Sequence, residues 1–320
     1  MKILQAAPVH YAGYAAVINS LYPDNQVSVS EIVEDDKKRD PKFKAQRWVT
    51  IEKEKIVGAG SYTQSMWFAH PRKFRLWIGV QPEFQMRGIG AMMYETIMQG
   101  LLPLDPIALR AVTTEDRPQS IRFLEKRGFQ EVIRDILSEL NVRDFDLARF
   151  ARLEDQFQRE GIEIKTLPEL ENDPGRNQKL YDLDWELSLS VPGDLAAGIG
   201  RRGLDRYVEY AITGPDALPD GFFVAVKGGE YIGLSHVLSV EKGISLYQGL
   251  SGVKPPYRRQ GIGLAMKVRC IAYAQATGHS VIRAENDAKN APMLAMNEKL
   301  GFVRKQDVIT FEKKLQSVQN

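Results

Sequence analysis

The sequence predicts an α/β chain of the α+β type, made of two copies of one domain in tandem. Three observations carry that reading: length, an internal repeat, and the order of elements within each copy. A chain of 320 residues has room for about two domains of roughly 150 residues. Its apolar fraction of 43% and charged fraction of 26% belong to ordinary globular proteins, which excludes disorder and collagen. The repeat is direct: Gln85-Met-Arg-Gly88-Ile89-Gly90 returns as Arg258-Arg-Gln-Gly261-Ile262-Gly263, a shift of 173. The same shift maps Val80 onto Val253, Pro82 onto Pro255, Arg110-Ala111 onto Arg283-Ala284, and Glu125-Lys126 and Gly128-Phe129 onto Glu298-Lys299 and Gly301-Phe302. Without a gap, 12 of 50 positions match across 80–129 and 253–302, and the glycines keep one register. A period this long means a duplicated domain and not a solenoid.

Each copy reads in the same order. The opening strand is Lys2–Ala6 in the first and Ile162–Leu167 in the second, where apolar residues alternate. Helical segments follow, at His10–Leu21 and Ser28–Lys38, then at Asn177–Leu189 and Leu204–Thr213. Strands come next: Arg47–Glu52, Lys55–Tyr62 and Phe74–Val80, against Gly221–Val226, Tyr231–Val240 and Ile244–Val253. Lys227-Gly-Gly-Glu230 is a hairpin turn. After the glycine loop of the second copy come a helix ending at Gly278, a strand at Ser280–Ala284, and a helix opening at Ala291-Pro292 and closing at Gly301. A final extended stretch covers Phe302–Lys314. Phe145 to Gly161 reads as an amphipathic helix, with Leu147, Phe150, Leu153 and Phe157 at helical spacing. The domains are therefore placed at 1–143 and 162–320, with a linker helix over 144–161.

Composition narrows function. The 43 basic and 41 acidic residues leave +2, so no global charge favours nucleic acid or an anionic membrane. One cysteine makes no internal disulfide, and His10, His70, His236 and His279 lie far apart, so no metal site is expected. The N-terminus has no long apolar run and no segment of about 18 apolar residues occurs, so a cytoplasmic protein is expected.

The glycine loop carries the chemistry. Glycine lets backbone approach a ligand, and the following helix start offers free N–H groups and a positive dipole end. That combination suits a pyrophosphate, with Arg258 and Arg259, or Arg87, adding charge. A Walker loop needs Lys-Ser/Thr after the second glycine, where Leu264-Ala265 and Ala91-Met92 stand. A dinucleotide fingerprint needs a third glycine, where Met266 and Met93 stand. What remains, Gln/Arg-x-x-Gly-x-Gly, is similar to the pyrophosphate loop of coenzyme A acyltransferases.

Both copies resemble domains of the GNAT superfamily of N-acetyltransferases. The second is the closer: Ser251-Gly-Val253-Lys-Pro255-x-Tyr257-Arg258-Arg-Gln-Gly261-Ile-Gly263, then Glu285-Asn286-Asp287-x-x-Asn290-x-x-Met293-x-x-x-Asn297-x-x-Leu300-Gly301-Phe302. The ordered set, repeated over nearly the whole chain, resembles tandem-domain GNAT proteins, the group that includes mycothiol synthase. The resemblance implies for each copy a mixed, mainly antiparallel sheet flanked by helices, its fourth and fifth strands splayed to admit the pantetheine arm of acetyl-CoA. By that likeness Ser251 and Val253 offer backbone groups to pantetheine. Arg258, Arg259, Gln260, Gly261, Ile262, Gly263 and Leu264 hold the pyrophosphate, and Asn286 and Asn290 lie beside the arm. The matching first-copy positions are Ile78, Val80, Gln85, Met86, Arg87, Gly88, Ile89, Gly90 and Ala91.

Transfer to an amine needs a neutral nucleophile, hence a base or a desolvating pocket. Many GNAT enzymes place a Tyr on the last helix; here the position is Asn297, or Leu124 in the first copy. Neither fourth strand carries an acid. The candidates left are Tyr247, Glu285 and Asn297, with Asp287 either relaying a proton or capping a turn. Leu124 has no hydrogen bond to give, which makes the first copy the weaker enzyme. Elsewhere the plain readings lead: His236 a core residue, Cys270 a buried hydrophobe, Arg201 and Arg202 a solvated loop, Met66-Trp67-Phe68 packing. The expectation is an N-acetyltransferase whose C-terminal domain moves acetyl from acetyl-CoA to a small-molecule or peptide amine, without a covalent intermediate. Two alternatives stay open: a non-catalytic acyl-CoA-binding module, and an acyltransferase with another donor.

Overall fold

The structure is a computed structural model that describes residues 1–23, 26–64, 70–192, 201, 203–240 and 245–315. Its contacts divide the chain into two units, Met1–Val132 with Ile309–Asn320, and Ile133–Val308. The sequence boundary near 143 separates the copies; packing draws the line earlier and hands the chain's last residues to the first unit.

The first unit contains β1 (Lys2–Gln5), α1 (Tyr11–Leu21), α2 (Val29–Lys38), β2 (Ala45–Glu52), β3 (Lys55–Gln64), β4 (Lys73–Val80), α3 (Ile89–Leu101), β5 (Ala108–Thr114) and α4 (Pro118–Glu125). Ser28 caps α2 reciprocally with Glu31, as Ser-x-x-Glu ahead of an apolar turn dictates. Strands β1 to β4 pair antiparallel in chain order, and β5 joins β4 in parallel. The far end of β12 (Val303–Lys314) lies against β5. Trp48, Phe74, Leu76, Met93, Ile97, Leu109, Ile309 and Phe311 form the main core of this unit.

The second unit takes most of β6 (Gln130–Asn141), then α5 (Asp155–Gln158), β7 (Ile162–Thr166), α6 (Arg176–Ser188), α7 (Leu204–Val208), β8 (Ala217–Lys227), β9 (Glu230–Val240), β10 (Ser245–Val253), α8 (Ile262–Ala276), β11 (Val281–Asp287) and α9 (Ala291–Lys299). Its strand order is β6-β11-β10-β9-β8-β7, with β10 and β11 parallel and the other neighbouring pairs antiparallel. The β8–β9 turn uses Gly228 and Gly229 at φ of 56° and 83°, conformations in which a side chain is strained. Helix α8 buries Ile262, Leu264, Ala265, Met266, Cys270, Ile271 and Ala274 against the sheet. Cys270 is thus the buried hydrophobe its neighbours predict.

Strands β6 and β12 correspond under the 173 shift, so each copy ends in the same strand. From Ile133 on β6, and from Ile309 on β12, each final strand is counted in the other copy's unit. An ion pair repeats with it: Arg110 Nε donates to Glu312 at 2.6 Å, and Arg283 Nε to Glu139 at 2.9 Å. These four residues are equivalent in pairs by the same shift.

One expectation is corrected. Residues 145–161 do not form one helix: a 3-10 turn at Leu147–Phe150 is followed by the single turn of α5. Tertiary anchors outweigh the periodicity here, because Phe145, Phe150, Leu153 and Phe157 pack on the core and Glu154 is gripped by Arg269 Nε and Nη2 at 2.7 and 2.6 Å. The helix from Leu204 stops its α-form at Val208 and closes with a π turn, Glu209–Thr213.

Candidate functional site

In both units the parallel strands hold together for three residues and then part. Strand β10 pairs with β11 from Ser245–Val281 to Tyr247–Arg283, and β4 with β5 from Lys73–Ala108 to Arg75–Arg110. Past these points each forms a fork. The Lys254 N–H donates to the Ile232 carbonyl at 2.8 Å, which turns Lys254 toward β9. By strand alternation the backbone of Val253, and of Ser251 two residues earlier, faces the open side of the fork. The Gln81 N–H to Val57 carbonyl bond at 2.9 Å places Val80 and Ile78 likewise.

The glycine loops repeat in conformation as well as sequence. Arg259 and Met86 sit at φ of 66° and 60°, and Gly261 and Gly88 at 86° and 79°. A left-handed conformation costs a non-glycine residue about 1–2 kcal/mol, and both copies retain it. Each loop is clamped by the residue before this turn: Arg258 Nε donates to the Val253 carbonyl at 2.8 Å, and Gln85 Nε2 to the Val80 carbonyl at 3.0 Å. Arg258 therefore also shapes the loop through its Nε. Beyond Gly261, the N–H groups of Ile262, Gly263 and Leu264 have no carbonyl one turn back; Ile89, Gly90 and Ala91 repeat this after Gly88. A Cβ on Gly263 would meet nothing closer than 3.6 Å, and on Gly90 nothing closer than 3.4 Å. Packing therefore leaves room for alanine at both places, although glycine in a helix costs up to about 1 kcal/mol. The open space lies where a ligand would need the backbone bare.

The two loops differ in charge. Arg259 is exposed and pairs with no acid among the described residues, whereas Met86 occupies its place in the first copy, 86% exposed. Arg87 is engaged by Glu52 and the Phe84 ring. Beside the second loop lies a cavity of about 270 Å³ lined by Arg149, Phe150, Arg152, Leu153, Leu264 and Lys299. None of its three cations is ion-paired among the described residues.

The titratable groups gather at the second fork. Tyr247 is the last paired residue of β10, and Glu285 stands two residues past the parting on β11. Burial pushes the Glu285 carboxyl up to about 7, helped by the charge of Asp135 on β6. Burial pushes Asp135 up to about 6, helped by Asp287 directly opposite in the ladder. Burial, followed by Glu285, raises the Tyr247 hydroxyl, which keeps its proton. Asp287 Oδ1 accepts from the Lys289 N–H at 2.7 Å and so caps the following turn.

Asn297 is buried and donates from Nδ2 to Asn286 Oδ1 at 2.7 Å, while its own Oδ1 has no partner. An amide moves no proton near neutral pH, so Asn297 holds position and does not serve as acid or base. Asn290 caps α9, accepting from the Met293 N–H at 3.4 Å. His236 is buried and stacks on Phe222 with ring centroids 4.6 Å apart. Burial drives it down to about 4, against a weaker pull from the Leu250 backbone.

The structure thus brings Tyr247 and Glu285 together and ties Asn297 to Asn286. Arg201 is held by Asp182 and stacks on Tyr181 at 3.9 Å. Arg202 and Met66-Trp67-Phe68 lie outside the described residues. Sequence reading missed Asp135 and the cations at Arg149, Arg152 and Lys299. Asp135 sits in the first copy and carries no motif; only the unpaired Arg-x-x-Arg at 149–152 was visible as charge. By the 173 shift Val112, Thr114 and Val308 answer to Glu285, Asp287 and Asp135; on β10 an irregularity between Gln248 and Ser251 displaces the match by one, so Arg75, opposite Arg110, stands where Tyr247 lies opposite Arg283.

The profile of the acetyltransferase (GNAT) family matches residues 15–129 and 198–302. No curated protein matches the sequence. Among solved structures, the chain is similar to a tandem GNAT protein from the clavulanic acid biosynthesis pathway, solved without AcCoA (TM-score 0.73, 15% identity, 98% of each chain covered). It is similar to a GCN5-related N-acetyltransferase from Sphaerobacter thermophilus (TM-score 0.69, 16% identity, covering 98% of this chain and 95% of that one). A GNAT-family acetyltransferase from Colwellia psychrerythraea aligns at TM-score 0.60 and 12% identity, over 98% of this chain and all of that one. At these identities the likeness concerns the fold. Among the described residues no helix is long and apolar enough to cross a membrane.

Proposed function

The chain belongs to the acetyltransferase (GNAT) family, and from that premise we propose that its second copy is an N-acetyltransferase using acetyl-CoA and an amine acceptor. One observation carries the choice of copy. The second fork holds Glu285, Tyr247, Asp287 and Asp135, while the equivalent positions of the first are Val112, Arg75, Thr114 and Val308, none of which is a carboxyl or a phenol.

The residues present fit the cofactor. Gly263 leaves space that the protein's own packing does not use, and the loop is fixed in a strained turn before a helix start. The N–H groups of Ile262, Gly263 and Leu264 with Arg259 would hold the pyrophosphate. Arg149, Arg152 and Lys299 would meet a further phosphate, and the open edge at Ser251 and Val253 would take the pantetheine amides. Acetyl-CoA, when bound, supplies an acyl thioester open to direct attack by the amine. Glu285 takes the proton from the acceptor nitrogen, since an ionisation near neutral pH matches a general base. Tyr247 keeps its proton and donates a hydrogen bond at the head of the fork. The uncompensated carboxylates favour an acceptor that arrives as an ammonium ion. The first copy keeps the loop conformation and is proposed to shape or support the whole, with domains at 1–143 and 162–320 by copy.

Calorimetric titration of acetyl-CoA tests this in wild type, Gly261→Asp/Gly263→Asp, and Gly88→Asp/Gly90→Asp. The second-copy variant is expected to lose binding and acetyl transfer. Loss only in the first-copy variant would reverse the roles, and no binding to wild type would end the cofactor reading.

A further inference from the structure

Strand β6 runs antiparallel along β11 from Asn141 opposite Val281 to Asp135 opposite Asp287. Side chains alternate, so Asp135, Leu137 and Glu139 share a face with Asp287, Glu285 and Arg283. Arg283 is bonded to Glu139, which also meets Lys305 at 3.3 Å. The ladder's positive charge is thereby used at one end. At the other end, where the fork opens, Asp135, Glu285 and Asp287 pair with no lysine or arginine among the described residues. Asp287 accepts a hydrogen bond from the Lys289 N–H. Asp135 has no such donor and sits diagonal to Glu285. The remaining groups on this side are Tyr247 on β10, whose hydroxyl burial keeps protonated, and Tyr210 in the turn after α7. Among the described residues, none of the groups named at this end is a cation that offsets a negative charge placed on Glu285.

We propose that Asp135, carried by the first copy's last strand into the second unit, is a positioning residue whose carboxylate controls when Glu285 holds a proton. The inference rests on Glu285 being the base of the proposed reaction. Without Asp135, burial alone would hold the proton on Glu285 less firmly and the carboxylate would be a weaker base; with it, the carboxylate binds the proton released by the amine more readily. The proton passes from the acceptor nitrogen to a Glu285 oxygen and then to water. The C-terminal copy cut out at 162 would lack this residue and the strand that bears it. Burial at the fork lifts Glu285 and Asp135 in the same direction, with the neighbouring acid as the second cause for each.

The test uses the full chain with its glutamate side-chain carboxyls labelled with 13C and read by NMR across pH, the Glu285 signal being assigned by its loss in Glu285→Gln. Asp135→Asn is expected to lower the Glu285 midpoint by about 1 pH unit, the size of a single neighbouring charge, and to move the acid limb of kcat/KM with it. Asp135→Glu should restore both, and Asp135→Ser serves if the asparagine variant folds poorly. An unchanged Glu285 midpoint in folded Asp135→Asn overturns the proposal. Failure of the underlying function shows separately, as full acetyl transfer by Glu285→Gln while the midpoint still shifts in Asp135→Asn.

Discussion

Replacing Glu285 by glutamine removes an ionisable oxygen and keeps the size of the side chain. Wild-type Glu285 holds its proton up to about pH 7, against 4.5 for the free group. Each decade of that difference is worth about 1.4 kcal/mol. The sign follows from linkage: the unfolded chain releases the proton first, so the fold loses stability as pH rises from about 4.5 to about 7. Above that the loss levels off at about 3 kcal/mol, an order-of-magnitude figure from the same constant. Glutamine carries no such penalty. Glu285→Gln should thus match wild type at pH 4.5 and be up to about 3 kcal/mol more stable at pH 8. Meanwhile acetyl transfer falls about 10²–10⁴-fold with loss of the base. Urea unfolding at the two pH values, beside initial rates with acetyl-CoA and an amine, reads both quantities. A variant less stable than wild type at pH 8 would refute the burial argument, and one with undiminished kcat would refute the role as base.

Gly263→Ala should leave the fold as stable or up to about 1 kcal/mol more so, since its Cβ has room, yet weaken acetyl-CoA binding about tenfold. Equal affinity in a titration would show that the bare backbone is not used. Arg149→Ala/Arg152→Ala should bind acetyl-CoA more weakly while binding its analogue without the 3′-phosphate like wild type, a difference read by competition calorimetry. Arg269→Met should cost about 1–3 kcal/mol in urea unfolding, because two bonds to Glu154 and one to the Ile164 carbonyl at 3.1 Å are lost. His236 is held neutral down to about pH 4, so the unfolded chain gains a proton first as pH falls below 6.5. Stability should drop between those values, and His236→Leu should flatten that slope in pH-dependent unfolding.

Much of the architecture was legible because it is written locally. Gly228-Gly229 admits a tight hairpin, Ser28 and Glu31 fix a helix start, and the near-continuous apolar runs of β8 and β9 match a sheet with two covered faces. The cofactor loop was legible for the same reason: its conformation lives in seven consecutive residues. The linker misled because its apolar spacing satisfies a helix, whereas contacts with α8 and Arg269 pull the same residues into two short turns. The proton chemistry was half visible. Tyr247 and Glu285 could be named, but nothing in one dimension says that Glu285 is buried beside a second acid.

The sequence by itself determined a duplicated α/β domain, its family, and two copies of a loop suited to an anion, since these depend on residue type and short spacing. Only tertiary structure decided where the last strands go. Strands β6 and β12 are equivalent by the repeat, so local preference cannot choose between the edges of β5 and β11; chain connectivity and the packing of each unit make that choice. It is this choice that sets Asp135 opposite Asp287 and next to Glu285, 150 positions away in the chain. Burial and the sum of nearby charges are properties of that assembled fork, and they give an ordinary glutamate its unusual proton.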